Sequence, residues 1–260
     1  LLGPFVWRVP INEIDFMSRM QGPSWAHPLG TDDLGQDILA RVLYGGRISL
    51  AVGLAAMLIA ISVGVVVGAV AGMSKGPVDV FLMWITDLFL SLPQLPLLLL
   101  IFYLFNDTLK KMVGPEAGVF ILVVAVIGGL RWMPVARLVR AQFLTLREKE
   151  FVEAARALGA SPWRQVTVHI LPNAMGPIMV NITLTTAMFI LAEAGLSFLG
   201  LGVPLSIPTW GNILNVAKDI RVLENNWWMW LPVGTVISLF VLSVNFIGDG
   251  LRDALDPKDR

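Results

Sequence analysis

The 260-residue sequence contains no cysteine, which excludes disulfides, thiolate nucleophiles and cysteine-bound metals. Its two histidines, His27 and His169, stand 142 positions apart and form no His-Glu-x-x-His pair, so no metalloenzyme spacing is present. No Gly-x-x-x-x-Gly-Lys-Ser/Thr stretch occurs, and with it goes the phosphate-cradling loop of an ATPase. Charge is scarce: 15% of residues are Asp, Glu, Lys or Arg, against about 25% in a soluble domain. The 19 basic and 19 acidic residues cancel, so there is no basic surplus to hold nucleic acid. Internal repeats are not visible, and the start at Leu1-Leu2-Gly3-Pro4 has neither methionine nor the basic opening of a signal peptide.

What the sequence has in quantity is apolar length. Hydrophobic residues make up 56% of it and the mean hydropathy is +0.73. Five runs are long enough to cross a bilayer, at 48–73, 80–105, 118–138, 173–199 and 229–248, given the roughly 18 or more residues that a span needs. In lipid the backbone must satisfy its own hydrogen bonds, so these are helices, and the fold expected is an all-α, polytopic bundle. Pro93 and Pro96 interrupt the second run. The loops at 73–79 and 139–172 and the tail 249–260 carry dense Lys and Arg, among them Lys75, Arg140, Arg147, Arg164, Lys258 and Arg260. The positive-inside rule makes that side cytoplasmic, with the C-terminus. Residues 1–47, 106–117 and 200–228 then face outward, and Trp227, Trp228 and Trp230 stand where an aromatic belt sits. A sixth span before Leu1 would bring both termini to the cytoplasmic side. The two histidines fall on opposite sides, so they read as separate loop hydrogen-bonders.

The outer segment 1–47 contains an amphipathic stretch, 31–43. Thr31 is its expected cap, Leu34, Ile38 and Val42 share a face, and Asp37 and Arg41 make an i,i+4 pair. The plain expectation is a helix lying on the bilayer surface.

The cytoplasmic loop holds the densest local signals. Thr145 followed by Glu148 is a capping box, so a helix is expected from there, with Phe151, Ala155 and Leu158 on one face. Gly159 is placed to end it, and Ser161-Pro162 supplies an N-cap and N1 proline for a second short helix that Pro172 closes. A rigid helix–turn–helix tied to two spans suits the transmission of a push, and the small Ala154 and Ala155 beside Glu153 let another protein approach the backbone.

The triplet Glu153-Ala154-Ala155, Gly159 and the pair Leu171-Pro172 match the EAA loop, so the chain resembles the permeases of binding-protein-dependent ABC importers. His169 stands where the general pattern has isoleucine, and the stretch His169-Ile-Leu-Pro-Asn173 is similar to the peptide/nickel subfamily. Three further stretches, 27–35, 192–202 and 248–257, resemble its C-type permease subunit in order and spacing. The resemblance implies that residues 48–248 form the transmembrane permease domain in a bacterial inner membrane. It implies ATPase coupling through Glu153, Ala154, Ala155, Gly159, Leu171 and Pro172. It also implies partners: a second homologous permease, two ATPase subunits that hold the ATP and Mg, and an extracytoplasmic substrate-binding protein. This chain itself would bind no cofactor and catalyse nothing, and the cargo would be a di- or oligopeptide or a small solute such as a nickel complex.

Asp87, Glu193 and Asn181 fall within or beside spans. Intramembrane carboxylates line substrate paths or brace helices; bracing is the plainer reading here, and Asn181 with Thr183, Thr185 and Thr186 reads equally as a helix–helix stripe. Two other classes of function stay in view. An intramembrane enzyme would need a nucleophile–base pair or metal set that the sequence lacks. An ATP-independent carrier or channel would be told apart by transport without any ATPase.

Overall fold

The computed structural model describes Gly3 and residues 7–74 and 76–255. Lys75 and residues 256–260, which include Lys258, Arg260 and the Asp256-Pro257 end of the last motif, lie outside the described residues. Among the described residues there is no β-strand; the only pairing of that kind is an isolated bridge between Thr31 and Asp37.

The first helix, α1, runs Ile38–Met73 over 36 residues, about 54 Å at 1.5 Å per residue. It corrects the expected surface helix over 31–43. Asp37, not Thr31, caps it: its carboxylate accepts the Ala40 amide at 2.7 Å. The same carboxylate takes the Trp7 indole at 3.1 Å and lies 2.8 Å from His27 Nδ1. Thus engaged, Asp37 leaves Arg41 to Asp32, 3.1 Å away, and the i,i+4 pair does not form. Asp32 also accepts the Leu34 and Gln36 amides, both at 2.9 Å, while the Thr31 hydroxyl donates to the Ser18 carbonyl. Residues 31–37 are therefore a cross-braced loop. Burial pushes the Asp32 carboxyl above its ordinary value, against the pull of the Gln36 amide and Arg41.

The second apolar run is two helices, α2 (Pro77–Ser91) and α3 (Gln94–Val113), bent by 90°. Leu92 is extended ahead of Pro93, the conformation that proline favours in the residue before it. Only Gly114, at φ +92°, separates α3 from α4 (Pro115–Gly129). Most of the expected outer loop 106–117 is thus helical. A 41° break at residues 130–132 follows, then α5 (Met133–Leu146). The capping box expected at Thr145 is absent because α5 continues through it. The Thr145 hydroxyl bonds back to the Ala141 carbonyl at 3.1 Å, and Lys149 precedes α6 (Glu150–Ala157) without a side-chain cap.

Helix α7 spans Pro162–Phe198. Pro172 does not interrupt it as expected, because the six residues Gln165–Ile170 widen into a π-helical turn. That turn contains Val168, whose carbonyl an α-helical Pro172 would strike and could not satisfy. Short helices α8 (Trp210–Leu214) and α9 (Ile220–Asn225) lead to α10 (Leu231–Leu255). Among the described residues, helices α1, α7 and α10 are each long and apolar enough to cross a membrane, and the number rises to five where each bent pair, α2/α3 and α4/α5, counts as one span, one for each apolar run in the sequence.

The chain divides into two compact units. The first comprises residues 1–55, 102–124 and 187–243, with Ile38, Val42, Ile190, Trp210, Met229 and Val233 in its core. The second comprises residues 56–101, 125–186 and 244–260, with a core of Val135, Val139, Phe143, Val152, Ile170, Ala174 and Ile178. Within the second unit Gly64, Gly68 and Gly72 put α1 against the backbone of α5. A Cβ on Gly64 would fall 2.6 Å from Val135 Cβ, and one on Gly68 2.5 Å from the Ala136 carbonyl oxygen. Small residues at every fourth position permit such an approach.

Candidate functional site

The residues singled out in the 139–172 loop lie on a compact hairpin of the second unit. Its first arm, α6, is too short to persist by propensity; packing holds it. Val152 and Ala155 are buried, Val152 in the same core as Val166 and Ile170. This corrects the expected face: the buried stripe is Val152–Ala155, while Phe151 is 42% and Leu158 89% exposed. Glu153, Ala154 and Arg156 are exposed too.

Local chemistry fixes the turn. Gly159 has φ +85°; its amide reaches the Arg156 carbonyl and the Ala160 amide reaches the Ala155 carbonyl, both at 3.0 Å. These are the two bonds of a Schellman end, which needs a left-handed residue at this position. Ser161 then caps the second arm by accepting the Arg164 amide at 3.3 Å, and Pro162 follows at N1. The buried Gln165 side chain donates to the Ala160 carbonyl at 2.8 Å, a brace that no local sequence signal announces. Leu171 packs against the core that holds Val152, and Pro172 is exposed. The six residues therefore sit on one hairpin and the start of the span that follows it.

Arginines tie this region to neighbouring helices. Arg147 donates to the Gly72 carbonyl at 2.7 Å, satisfying the C-terminal end of α1. Arg140 clasps Asp79 with two bonds, 2.6 and 2.7 Å. Asp87 pairs with Arg137, and both side chains are more than half exposed, so the pair contributes little to stability.

Glu193 is 0% exposed. Its two oxygens accept the Ser49 and Ser197 hydroxyls, each at 2.7 Å, and the Ser49 hydroxyl accepts the Trp210 amide at 3.1 Å. Inside the first unit this carboxylate thus joins α1, α7 and the start of α8. The threonine stripe mostly bonds to its own helix: Thr183 to the Met179 carbonyl, Thr185 to that of Asn181 and Thr186 to that of Ile182. Thr186 alone of these reaches another helix, donating to Met57 Sδ at 3.0 Å. Among the described residues no group of three or more His, Asp or Glu side chains could hold a metal.

A hairpin of this build, set between membrane spans, can be compared with known proteins. Residues 64–260 match the family model of the binding-protein-dependent transport system inner membrane component. The chain belongs to that family. A Brucella suis (biovar 1, strain 1330) protein named as a peptide permease is 43% identical over 247 residues, 95% of this chain and 78% of its own. The dipeptide transport system permease protein DppC of Bacillus subtilis (strain 168) is 38% identical over 260 residues, covering 100% of this chain and 78% of the relative. Among solved structures, a chain of the MetNI methionine ABC transporter in an inward-facing conformation superposes with a TM-score of 0.63 at 19% identity. The superposition covers 83% of this chain and 96% of that one. An amino acid ABC transporter solved with histidines gives 0.58 at 18% identity, with 83% and 94% covered. These two likenesses concern the fold. Family membership makes this transport component a multi-pass inner-membrane protein.

Proposed function

We propose that the chain is the permease subunit of an ATP-driven importer of peptides, and that residues 150–161 are its coupling element. The single observation that carries the reading is the hairpin: a rigid, doubly capped turn on a chain of this family, seated by Val152 and Ala155 and offering Glu153, Ala154 and Leu158 to a partner. The names of the relatives support a di- or oligopeptide cargo; a nickel complex is the related alternative, selected by a separate receptor.

In this reading the chain joins a second, homologous permease to make the path. Two ATPase subunits, which bind the ATP and Mg, dock on the hairpins, and an extracytoplasmic binding protein delivers the cargo. In this reading the hairpin faces the cytoplasm together with the basic sequence segments 73–79 and 249–260, while residues 7–37 lie outside. ATP-driven movement of the docked subunits pushes α6. The push passes through the core around Val152 and Ile170 into α7, and through Arg147 into the end of α1.

The test is uptake by the complete importer in proteoliposomes. Glu153→Lys reverses a charge on the exposed face and touches no buried group, so uptake should fall at least about tenfold, the equivalent of one lost charged contact. Membrane insertion and thermal stability should stay unchanged. Wild-type uptake by this variant would remove the hairpin from the mechanism.

A further inference from the structure

We propose that a cavity in the first unit, walled by Gln36, Asn212 and Asp33, takes the amino end of a small peptide, a primary ammonium carried on an apolar body. The ammonium chemistry stands on the cavity itself; the assignment to a peptide rests on the importer reading above.

The cavity has a volume of about 570 Å³ and lies wholly within the first unit, between the 12–41 segment and the 205–229 stretch. That size is usual for a small-molecule site, about 300–1,000 Å³, and exceeds what one inserted side chain would fill. Two of its lining residues, Gln36 and Asn212, are 5% and 4% exposed. Buried polar side chains are nearly always hydrogen-bonded, yet Gln36 Oε1 and Asn212 Oδ1 have no partner among the described residues. Neighbouring carbonyls fix the orientation of the Asn212 amide. Its nitrogen donates to the carbonyls of Val203, Pro204 and Ile207, at 2.9, 3.1 and 3.0 Å, so a flipped amide would set its oxygen against three others. The nitrogen of Asn215, also in the lining, is taken in the same way by the Phe198 carbonyl at 2.6 Å. Asn212 and Asn215 thus keep their oxygens as acceptors, and Gln36 adds a third.

Charge selects among the donors that could meet these oxygens. The charged residues of the lining are Asp32, Asp33 and Arg41. Arg41 is held by Asp32 at 3.1 Å, so two acids against one base leave one net negative charge, at the exposed Asp33. Surplus acceptors and surplus negative charge fit a group with three N–H donors and no acceptor, which is an ammonium. Ile38, Ile213 and Met229 are buried and supply an apolar wall, so the ammonium belongs to an apolar body. The amino end of a peptide with an apolar first residue has both features. A lysine side chain of a docking protein shares the ammonium and lacks the bulk; the volume favours the peptide.

The test is equilibrium dialysis of the assembled membrane complex in nanodiscs, without the extracytoplasmic binding protein. The probes are radiolabelled Leu-Leu and its N-acetyl derivative, each at up to millimolar concentration. The wild-type complex should bind Leu-Leu and bind the acetylated probe at least about tenfold more weakly, since acetylation removes the charge and two donors. Gln36→Met keeps the shape and removes the acceptor, so Leu-Leu binding should fall about tenfold. The unfolding temperature should not fall, because the substitution deletes a buried oxygen that has no partner. Asp33→Asn should weaken Leu-Leu binding as well and leave the acetylated probe unaffected. Equal binding of the two probes, or wild-type binding by Gln36→Met, would overturn the proposal. Binding of neither probe would overturn it too and leave the oxygens to water; if Gln36→Met then also retains less binding protein, they serve a side chain of that partner. Uptake of Leu-Leu by the complete wild-type importer separates the two readings. Uptake without binding at this site would overturn this inference alone, whereas an importer that moves no peptide would defeat the peptide reading and the peptide assignment with it.

Discussion

Residue 159 requires a backbone conformation that L-residues adopt at a cost. Its φ of +85° and the open space around it separate two effects, since a Cβ there would meet nothing within 4 Å. Gly159→Val should therefore destabilise by conformation alone, by about 1–2 kcal/mol, and Gly159→Asn by less, because asparagine tolerates the left-handed region. Thermal unfolding of the purified protein reads the order; equal losses for the two variants would contradict the Schellman geometry. Glu193 presents the opposite situation, a residue whose worth lies in its contacts. Glu193→Ala strands the buried Ser49 and Ser197 hydroxyls and should cost about 1–3 kcal/mol for each group left unsatisfied. Ser197→Ala should cost less than Glu193→Ala, and a Glu193→Ala protein as stable as wild type would show that the carboxylate braces nothing. The presence of a charge in a span was legible in the sequence. Its partner Ser49 was not, standing 144 residues away, where no spacing rule reaches.

Among the elements, legibility followed how local the deciding interaction is. Gly159 and Ser161-Pro162 act within five residues of themselves, and their turn forms as the sequence implies. The signals at Thr31 and Thr145 are of the same kind and lost. At Thr31, distant groups decided: Trp7 and His27 take Asp37, and Arg41 turns to Asp32. At Thr145, α5 had not ended, so its hydroxyl served the helix it was in. The proline pair of the second run announced a kink, and the 90° turn exceeds what local preference sets. The approach of α1 to α5 yields its own prediction. Gly68→Val would drive side-chain atoms into the Ala136 carbonyl and Val139, and overpacking of this kind costs about 1–3 kcal/mol. Gly195→Ala is the control, a helical glycine whose Cβ would meet nothing within 4 Å; it should be neutral or stabilising by up to about 1 kcal/mol. Loss of stability in Gly195→Ala equal to that in Gly68→Val would contradict the close packing.

For the whole molecule the five apolar runs were legible because lipid imposes length and apolarity on a span. Their pairing into bent units was not, since a broken span and a straight one have the same composition. The absence of cysteine makes the orientation directly testable. Leu158→Cys should react with a membrane-impermeant maleimide only in inside-out vesicles, and Trp25→Cys, also highly exposed, only from the outside. The reverse pattern would invert the proposed topology. The central claim, that the 150–161 hairpin docks an ATPase, is tested most directly by co-purification from detergent with the associated subunits identified by mass. The intact protein should bring down an ATPase and a second permease. Glu153→Lys should lose the ATPase and keep the permease. An ATPase retained by Glu153→Lys in wild-type amount, or an intact protein that purifies alone and moves solute without ATP, would contradict the account.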